Sequence, residues 1–188
     1  MTARTRNYPG GASPLIDHDP ADPTLVQKVR AGLAGGLVGG VVIWIYEAAV
    51  WVGAQHLMPL AGIPRNATGL VFGKAVQESL GAGAYVIGTC IHFLFALVWG
   101  VGFALAWPAL RRRGIEATLA ALFYAVIAWI VMHVAIALAG DNHPNYLDPA
   151  VIIGGFMSHF FFAVPMALVV KNGLAAAMPT RSFSKPPA

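Results

Sequence analysis

The stretch Ile127–Gly140, IAWIVMHVAIALAG, carries a single ionisable side chain, His133, in an otherwise apolar run. The run begins just after Glu116, and its roughly 25 residues at about 1.5 Å each are enough to cross about 30 Å of hydrocarbon. An ionisable residue inside such a run is costly and usually faces other protein or a cavity. Three further apolar runs each contain one comparable residue, namely Glu47, His92 and His159. The sequence therefore predicts a fold that brings these four runs together.

The composition is that of a polytopic membrane protein. The 188 residues are 57% hydrophobic and 11% charged, whereas a soluble domain carries about 25% charged residues. The length suits one small helical bundle. The net charge of +4 does not indicate nucleic-acid binding, because the basic residues lie where membrane topology places them. Cys90 is the only cysteine, so an intrachain disulfide is excluded.

We predict an all-α protein with four membrane spans and polar ends. The spans are expected at about 29–53, 84–107, 116–140 and 150–170. Pro108 is expected to end the second span, and Pro165 is expected to kink the fourth. The membrane domain covers residues 25–171, between a flexible N-terminal tail at 1–24 and a C-terminal tail at 172–188.

The connector between spans one and two, residues 54–82, predicts a short amphipathic helix. Asn66 is a suitable N-cap, and Gly81 follows the expected end of the helix at Leu80. Its apolar residues, such as Val71 and Val76, alternate with charged ones in a way that favours a position on the membrane surface.

The distribution of lysine and arginine predicts the orientation. Ten of the 12 basic residues lie on the side of the two termini and of the loop between spans two and three. Only Arg65 and Lys74 lie on the other side. Because cytoplasmic segments are enriched in Lys and Arg, both termini are expected in the cytoplasm.

The first span begins with a glycine-rich half. Gly32, Gly36 and Gly40 share one helix face, and Gly35 and Gly39 form a second stripe beside it. Small residues at this spacing allow two helix backbones to approach closely in lipid. The same faces would alternatively leave room for a flat ligand.

Glu47, His92, His133 and His159 are predicted to lie in one layer. At about 1.5 Å per residue, they fall roughly 9–14 Å below the outer ends of their spans. His92 and His159 each have a glycine four residues before and an alanine four residues after on the same face, which predicts an open slot. Haem b would fit such a slot with imidazole as axial ligand. Zinc or copper would also suit the three histidines.

The same four residues also fit a purely structural role. Histidines within membrane spans hydrogen-bond across helices, and Glu47 or Thr89 would be suitable partners. The spacing contains no H-x-E or H-E-x-x-H pattern, so the metal-site hypothesis depends on the inferred depth alone. The two readings therefore both stay open.

Four segments resemble the YagU family of bacterial inner-membrane proteins over about residues 30–170. They are RAGLAGGLVGGVVIWIYE at 30–47, TCIHFLFALVWGVGFAL at 89–105, VMHVAIALAG at 131–140 and FMSHFFF at 156–162. The outer connector is shorter and differently composed in this chain. The resemblance implies an inner-membrane location and a connection with acid tolerance.

Three functions remain open from the sequence. The first is a YagU-like protein whose buried His/Glu site binds or relays protons, since histidine titrates near neutral pH. The second is a haem- or metal-binding subunit of a membrane redox complex. The third is a structural or accessory subunit that docks on a partner through its glycine stripes. A homo-oligomer or a larger membrane complex is possible. No phosphate loop, nucleophile elbow or dinucleotide fingerprint is present, which favours a non-enzymatic role.

Overall fold

The computed structural model describes residues 22–139, 145 and 147–176. Most of the two predicted tails and part of the last loop lie outside these residues. All regular structure in the described part is helical, and four helices are long and apolar enough to cross a membrane. The prediction of an all-α protein with four such helices is confirmed.

The first long helix, α1, spans Leu25–Glu47 and continues as a π-helical segment, Ala48–Ala54. Its start is earlier than predicted because Thr24 and Gln27 form a capping box. The Gln27 amide donates to Thr24 Oγ1 at 3.3 Å, and the Thr24 amide donates to Gln27 Oε1 at 2.7 Å. These bonds satisfy donors that the first turn of a helix leaves free. The wider π-helical turn begins directly after Glu47, and such turns are frequent at functional sites.

The connector forms two helices rather than one, α2 at Gly62–Phe72 and α3 at Lys74–Ser79. Gly73 separates them with φ of 84°, a backbone conformation that glycine adopts readily. Asn66 lies inside α2 and does not cap it, so that part of the prediction is wrong. Gly81 does follow the end of the segment, with φ of 54°.

Helix α2 packs against the next long helix, α4, which spans Gly83–Arg112. The Thr68 hydroxyl is fully buried and donates to the Ala84 carbonyl at 2.6 Å. The Pro64 carbonyl lies directly against Gly88, where any Cβ atom would overlap it. Ile63 and Pro64 are buried as well. The contacts with α4 therefore hold α2 in a fixed position on the bundle.

Helix α4 contains Pro108 instead of ending there, so the predicted end of this span is wrong. A proline removes one backbone hydrogen bond from a helix interior. Here Trp107 and Pro108 are both buried in the core, and packing supports one further turn. Arg111 and Arg112 in that turn are favourable next to the negative end of the helix dipole.

The last two helices are α5 at Ala117–Ala139 and α6 at Pro149–Ala176. Pro165 lies inside α6, and α6 extends beyond Val170 into the predicted C-terminal tail. The Lys171 ammonium pairs with Glu116 at an Nζ–Oε1 distance of 3.2 Å. This contact joins α6 to the start of α5.

Helix α1 lies between α4 and α6, and its glycine stripes make both contacts. A Cβ atom added at Gly32 would lie 2.5 Å from Val101 Cα of α4. One added at Gly35 would lie 2.7 Å from Val170 Cγ2 of α6. Small residues of this kind let helix backbones approach closely. Because α4 and α6 cover both stripes, the glycine faces are not available for a flat ligand or for docking a partner.

Candidate functional site

A cavity of about 670 Å³ lies at the end of the bundle where α1 ends and α4 begins. Its wall combines residues of α1, the π-helical segment, α2, α4, α5 and α6, together with Asn145 of the last loop. The four polar residues singled out in the sequence all line it, namely Glu47, His92, His133 and His159. The packing of the helices therefore brings together side chains that are up to 112 positions apart in the chain.

His133 of α5 and His159 of α6 form a close pair, with ring centroids 6.0 Å apart. Each Nδ1 atom lies 2.7 Å from a carbonyl one turn earlier in its own helix, that of Trp129 for His133 and that of Gly155 for His159. A carbonyl only accepts, so each Nδ1 carries the proton and donates. The lone pair of each neutral ring is then on Nε2.

His92 of α4 has a different partner and the opposite tautomer. Its Nε2 donates across the helix interface to the Gly40 carbonyl of α1 at 2.9 Å, which leaves the lone pair on Nδ1. The ring centroid is 6.0 Å from that of Trp44 and 5.1 Å from that of Phe93. The sequence suggested Glu47 or Thr89 as the partner of a buried histidine. The Thr89 hydroxyl instead donates to the backbone carbonyl of Tyr85 in its own helix at 2.8 Å.

The predicted ligand set for a metal is not assembled. In the part of the chain that the structure describes, no group of three His, Cys, Asp or Glu side chains is placed to hold a metal ion. Cys90, near His92 in sequence, is exposed. The slot predicted beside His92 is filled, because Pro64 of α2 lies against Gly88. Beside His159 the space is open, since a Cβ atom at Gly155 would meet nothing within 4 Å.

Two carboxylates face the cavity, and they differ in their surroundings. Asp148 Oδ1 accepts the Ala150 amide at 2.9 Å and so caps the start of α6. Glu47 makes no hydrogen bond or ion pair within the described residues. No lysine or arginine is among the described residues that line the cavity. Among the described residues, the titratable side chains of the wall are therefore these two carboxyl groups and the three histidines.

Most of the remaining wall is apolar or aromatic, and three indoles belong to it, those of Trp44, Trp51 and Trp99. The Trp51 Nε1 atom is buried and has no hydrogen-bond partner among the described residues. Apolar cavities of roughly 300–1,000 Å³ with a few polar groups are typical small-molecule sites. The cavity has this character.

The contribution of α2 to the wall was missed at the sequence level. Ile63, Asn66 and Leu70 line the cavity, whereas the connector helix was expected to lie on the membrane surface. Gly88 is the residue that could have indicated the contact between α2 and α4. It lies four residues before His92 and was interpreted as part of a haem slot, whereas its neighbour is the backbone of α2.

Comparison of the chain with protein-family models, with curated proteins and with solved structures finds no match.

Proposed function

We propose that this chain is a YagU-like protein of the bacterial inner membrane, and that its cavity is a protonation site that contributes to acid tolerance. The observation that carries the proposal is the placement of Glu47, His92, His133 and His159 on the wall of one cavity, with the His133 and His159 rings 6.0 Å apart. Imidazole is the side chain whose charge changes most readily between pH 5 and 8.

The hydrogen bonds of the histidine pair suit proton binding. Both Nδ1 atoms donate to backbone carbonyls, so a new proton would be taken up at an Nε2 atom. Two imidazolium charges at this spacing would repel each other, so the pair is suited to hold one proton. The four polar residues line one cavity and do not form a chain through the described part of the bundle, which favours binding of a proton over its conduction across the membrane.

The proposed topology has both termini in the cytoplasm. Arg111, Arg112 and Lys171 lie at the ends of α4 and α6 that are remote from the cavity. The positive-inside rule assigns those ends to the cytoplasm. The cavity then lies in the outer half of the bilayer, where it is close to external acid.

We further propose that α3 and the end of α2 lie at the outer membrane surface. Phe72 and Val76 are exposed apolar residues there, with 52% and 41% of their surfaces accessible. Lys74 and Glu78 are exposed on the same short segment and approach each other to 3.9 Å. Exposed apolar side chains beside exposed charges are typical of a helix at a lipid–water interface.

The test is survival of the native strain after acid exposure when His133 is replaced by alanine. We expect survival to fall to the level of a strain that lacks the protein. His56→Asn is the matched control, because His56 is exposed, lies outside the cavity wall and has φ of 52°, which asparagine tolerates. Equal survival of the two variants, with equal amounts of protein in the membrane, would reject the proposal.

The two alternative functions from the sequence have less support in the structure. Within the described residues, no group of three His, Cys, Asp or Glu side chains is placed to hold a metal ion, and α2 occupies the slot beside His92. The glycine stripes that would dock a partner are covered by α4 and α6.

A further inference from the structure

We infer that the cavity binds an amphipathic organic cation, with the Glu47 carboxylate as counter-ion and tryptophan indoles around the charge. The inference rests on the proposed function in so far as both assign the same cavity as the functional site. It adds the chemical class of the ligand: a quaternary ammonium, phosphonium or protonated amine that is attached to an apolar body.

The charge of the wall is the first reason. Glu47 and Asp148 face the cavity, and none of the other described wall residues is a lysine or arginine. Asp148 already accepts an amide of α6, whereas Glu47 has no partner among the described residues. A carboxylate away from water is costly unless an opposite charge or a donor accompanies it. A ligand cation would supply that missing partner.

The histidines add to the negative character of the wall. His92 and His159 each use their N–H on a backbone carbonyl, so the second ring nitrogen of each neutral ring carries a lone pair. Such rings accept hydrogen bonds and favour a positive ligand group. An anionic ligand would meet carboxylates and lone pairs without a fixed positive charge to bind it.

The aromatic residues near Glu47 are the second reason. Trp44 precedes it by three residues and Trp51 follows it by four, so both lie on the same side of the helix. Both indoles line the cavity with the carboxylate. Cations are attracted to the faces of aromatic rings, and tryptophan is the strongest of them. Trp51 Nε1, which has no partner among the described residues, is a further donor for a polar ligand atom.

The apolar part of the wall indicates that the cationic group of the ligand is attached to an apolar body. A cavity of about 670 Å³ with residues such as Ile63, Leu70 and Ile136 has room for an apolar body of several rings or a branched chain. An inorganic cation would leave this surface without contacts, and no group of three His, Cys, Asp or Glu side chains is placed to hold a metal ion in the described residues. A neutral apolar molecule would leave Glu47 unpaired. An organic cation satisfies both parts of the wall.

The experiment uses the full-length protein in micelles of a non-ionic detergent at pH 7.5. Tetraphenylphosphonium is titrated in, and binding is followed by calorimetry and by quenching of tryptophan fluorescence. Tetraphenylborate is the matched probe, because it has almost the same size and shape with the opposite charge. We expect saturable binding of about one tetraphenylphosphonium per chain, and no saturable binding of tetraphenylborate.

The variant Glu47→Gln is expected to weaken binding of tetraphenylphosphonium at least tenfold, since it removes the counter-ion without changing the size of the side chain. Glu78→Gln is the control for loss of a carboxylate, because Glu78 is exposed and lies outside the cavity wall; we expect a change of less than about threefold. Equal binding of the two probes, or undiminished binding by a folded Glu47→Gln protein, would overturn the inference.

A competition experiment distinguishes two possible sources of the cation, a lipid headgroup and a free molecule. If added phosphatidylcholine displaces tetraphenylphosphonium and phosphatidylglycerol does not, the natural ligand is a choline-type lipid headgroup; if neither lipid competes, it is a free molecule. The proposed function and the proposed ligand can be rejected independently of each other. Tetraphenylphosphonium binding with unchanged acid survival of His133→Ala would reject acid tolerance alone, whereas lost survival without binding would reject the ligand alone.

Discussion

Gly36 provides a sharp test of how α1 is held in the bundle. A Cβ atom added there would overlap the Ala96 carbonyl and lie 2.9 Å from Leu97 Cα, both backbone atoms of α4. Carbon atoms in contact prefer about 3.5–4.0 Å, so a single methyl group would have to push the two helices apart by up to about 1 Å. A backbone cannot move aside as a flexible side chain does.

The expected cost of Gly36→Ala combines two opposing effects. Overpacking of a well-packed interface costs about 1–3 kcal/mol. Replacing glycine by alanine inside a helix otherwise stabilises by about 0.5–1 kcal/mol. The contacts at Gly36 are with backbone, so we expect the first effect to be near its upper end. The net destabilisation of Gly36→Ala is then about 1–2.5 kcal/mol.

The matched control is Gly155→Ala in α6, where an added Cβ atom meets nothing within 4 Å. This variant has the same change in helix propensity without the clash, so its stability should equal or exceed that of the wild type. Unfolding is measured for both by titration with a denaturing detergent in mixed micelles. Wild-type stability of Gly36→Ala, or a greater loss for Gly155→Ala, would refute the packing argument.

Two further predictions concern contacts outside the cavity. Thr68→Val keeps the shape of the side chain but removes its hydrogen bond to Ala84, at a cost of about 1 kcal/mol; amide hydrogen exchange should become faster in α2 but remain unchanged in the middle of α6. At Glu116, the hydrogen bond from the Thr118 amide and the contact with Lys171 lower the pKa from 4.5 to about 2. A carboxyl whose pKa is lower in the folded state stabilises the fold above its unfolded pKa, and this stabilisation is lost as the pH falls from about 4.5 towards 2. Stability measured between pH 2 and 6 should therefore depend less on pH in Glu116→Gln, and an unchanged dependence would contradict the assignment.

Several features of the fold follow from the chain alone because they are local. A run of about 20 apolar residues has no stable place outside lipid or a core, so four such runs predict four spans. Glycine at every fourth position predicts a close helix contact, whatever the partner. Helix ends were less predictable. Pro108 was expected to end α4, and only its burial beside Trp107 explains why the helix continues.

The candidate site was predictable in its members but not in its arrangement. An ionisable residue in an apolar run is expected to face other protein or a cavity, and all four such residues line the same one. Their depths did not reveal that His133 pairs with His159 while His92 bonds to Gly40. The direction of each ring depends on how the helices are rotated, which no single apolar run determines.

The sequence by itself determined the apolar helices, the unequal charge of their two ends and the presence of one histidine or glutamate in each, because these depend on composition and local periodicity. Only the tertiary structure decided that α4 and α6 cover the glycine stripes, that α2 lies against Gly88, and that the cavity has carboxylates and indoles on its wall. These features depend on contacts between residues far apart in the chain. Such contacts are selected by the combined packing of all the helices.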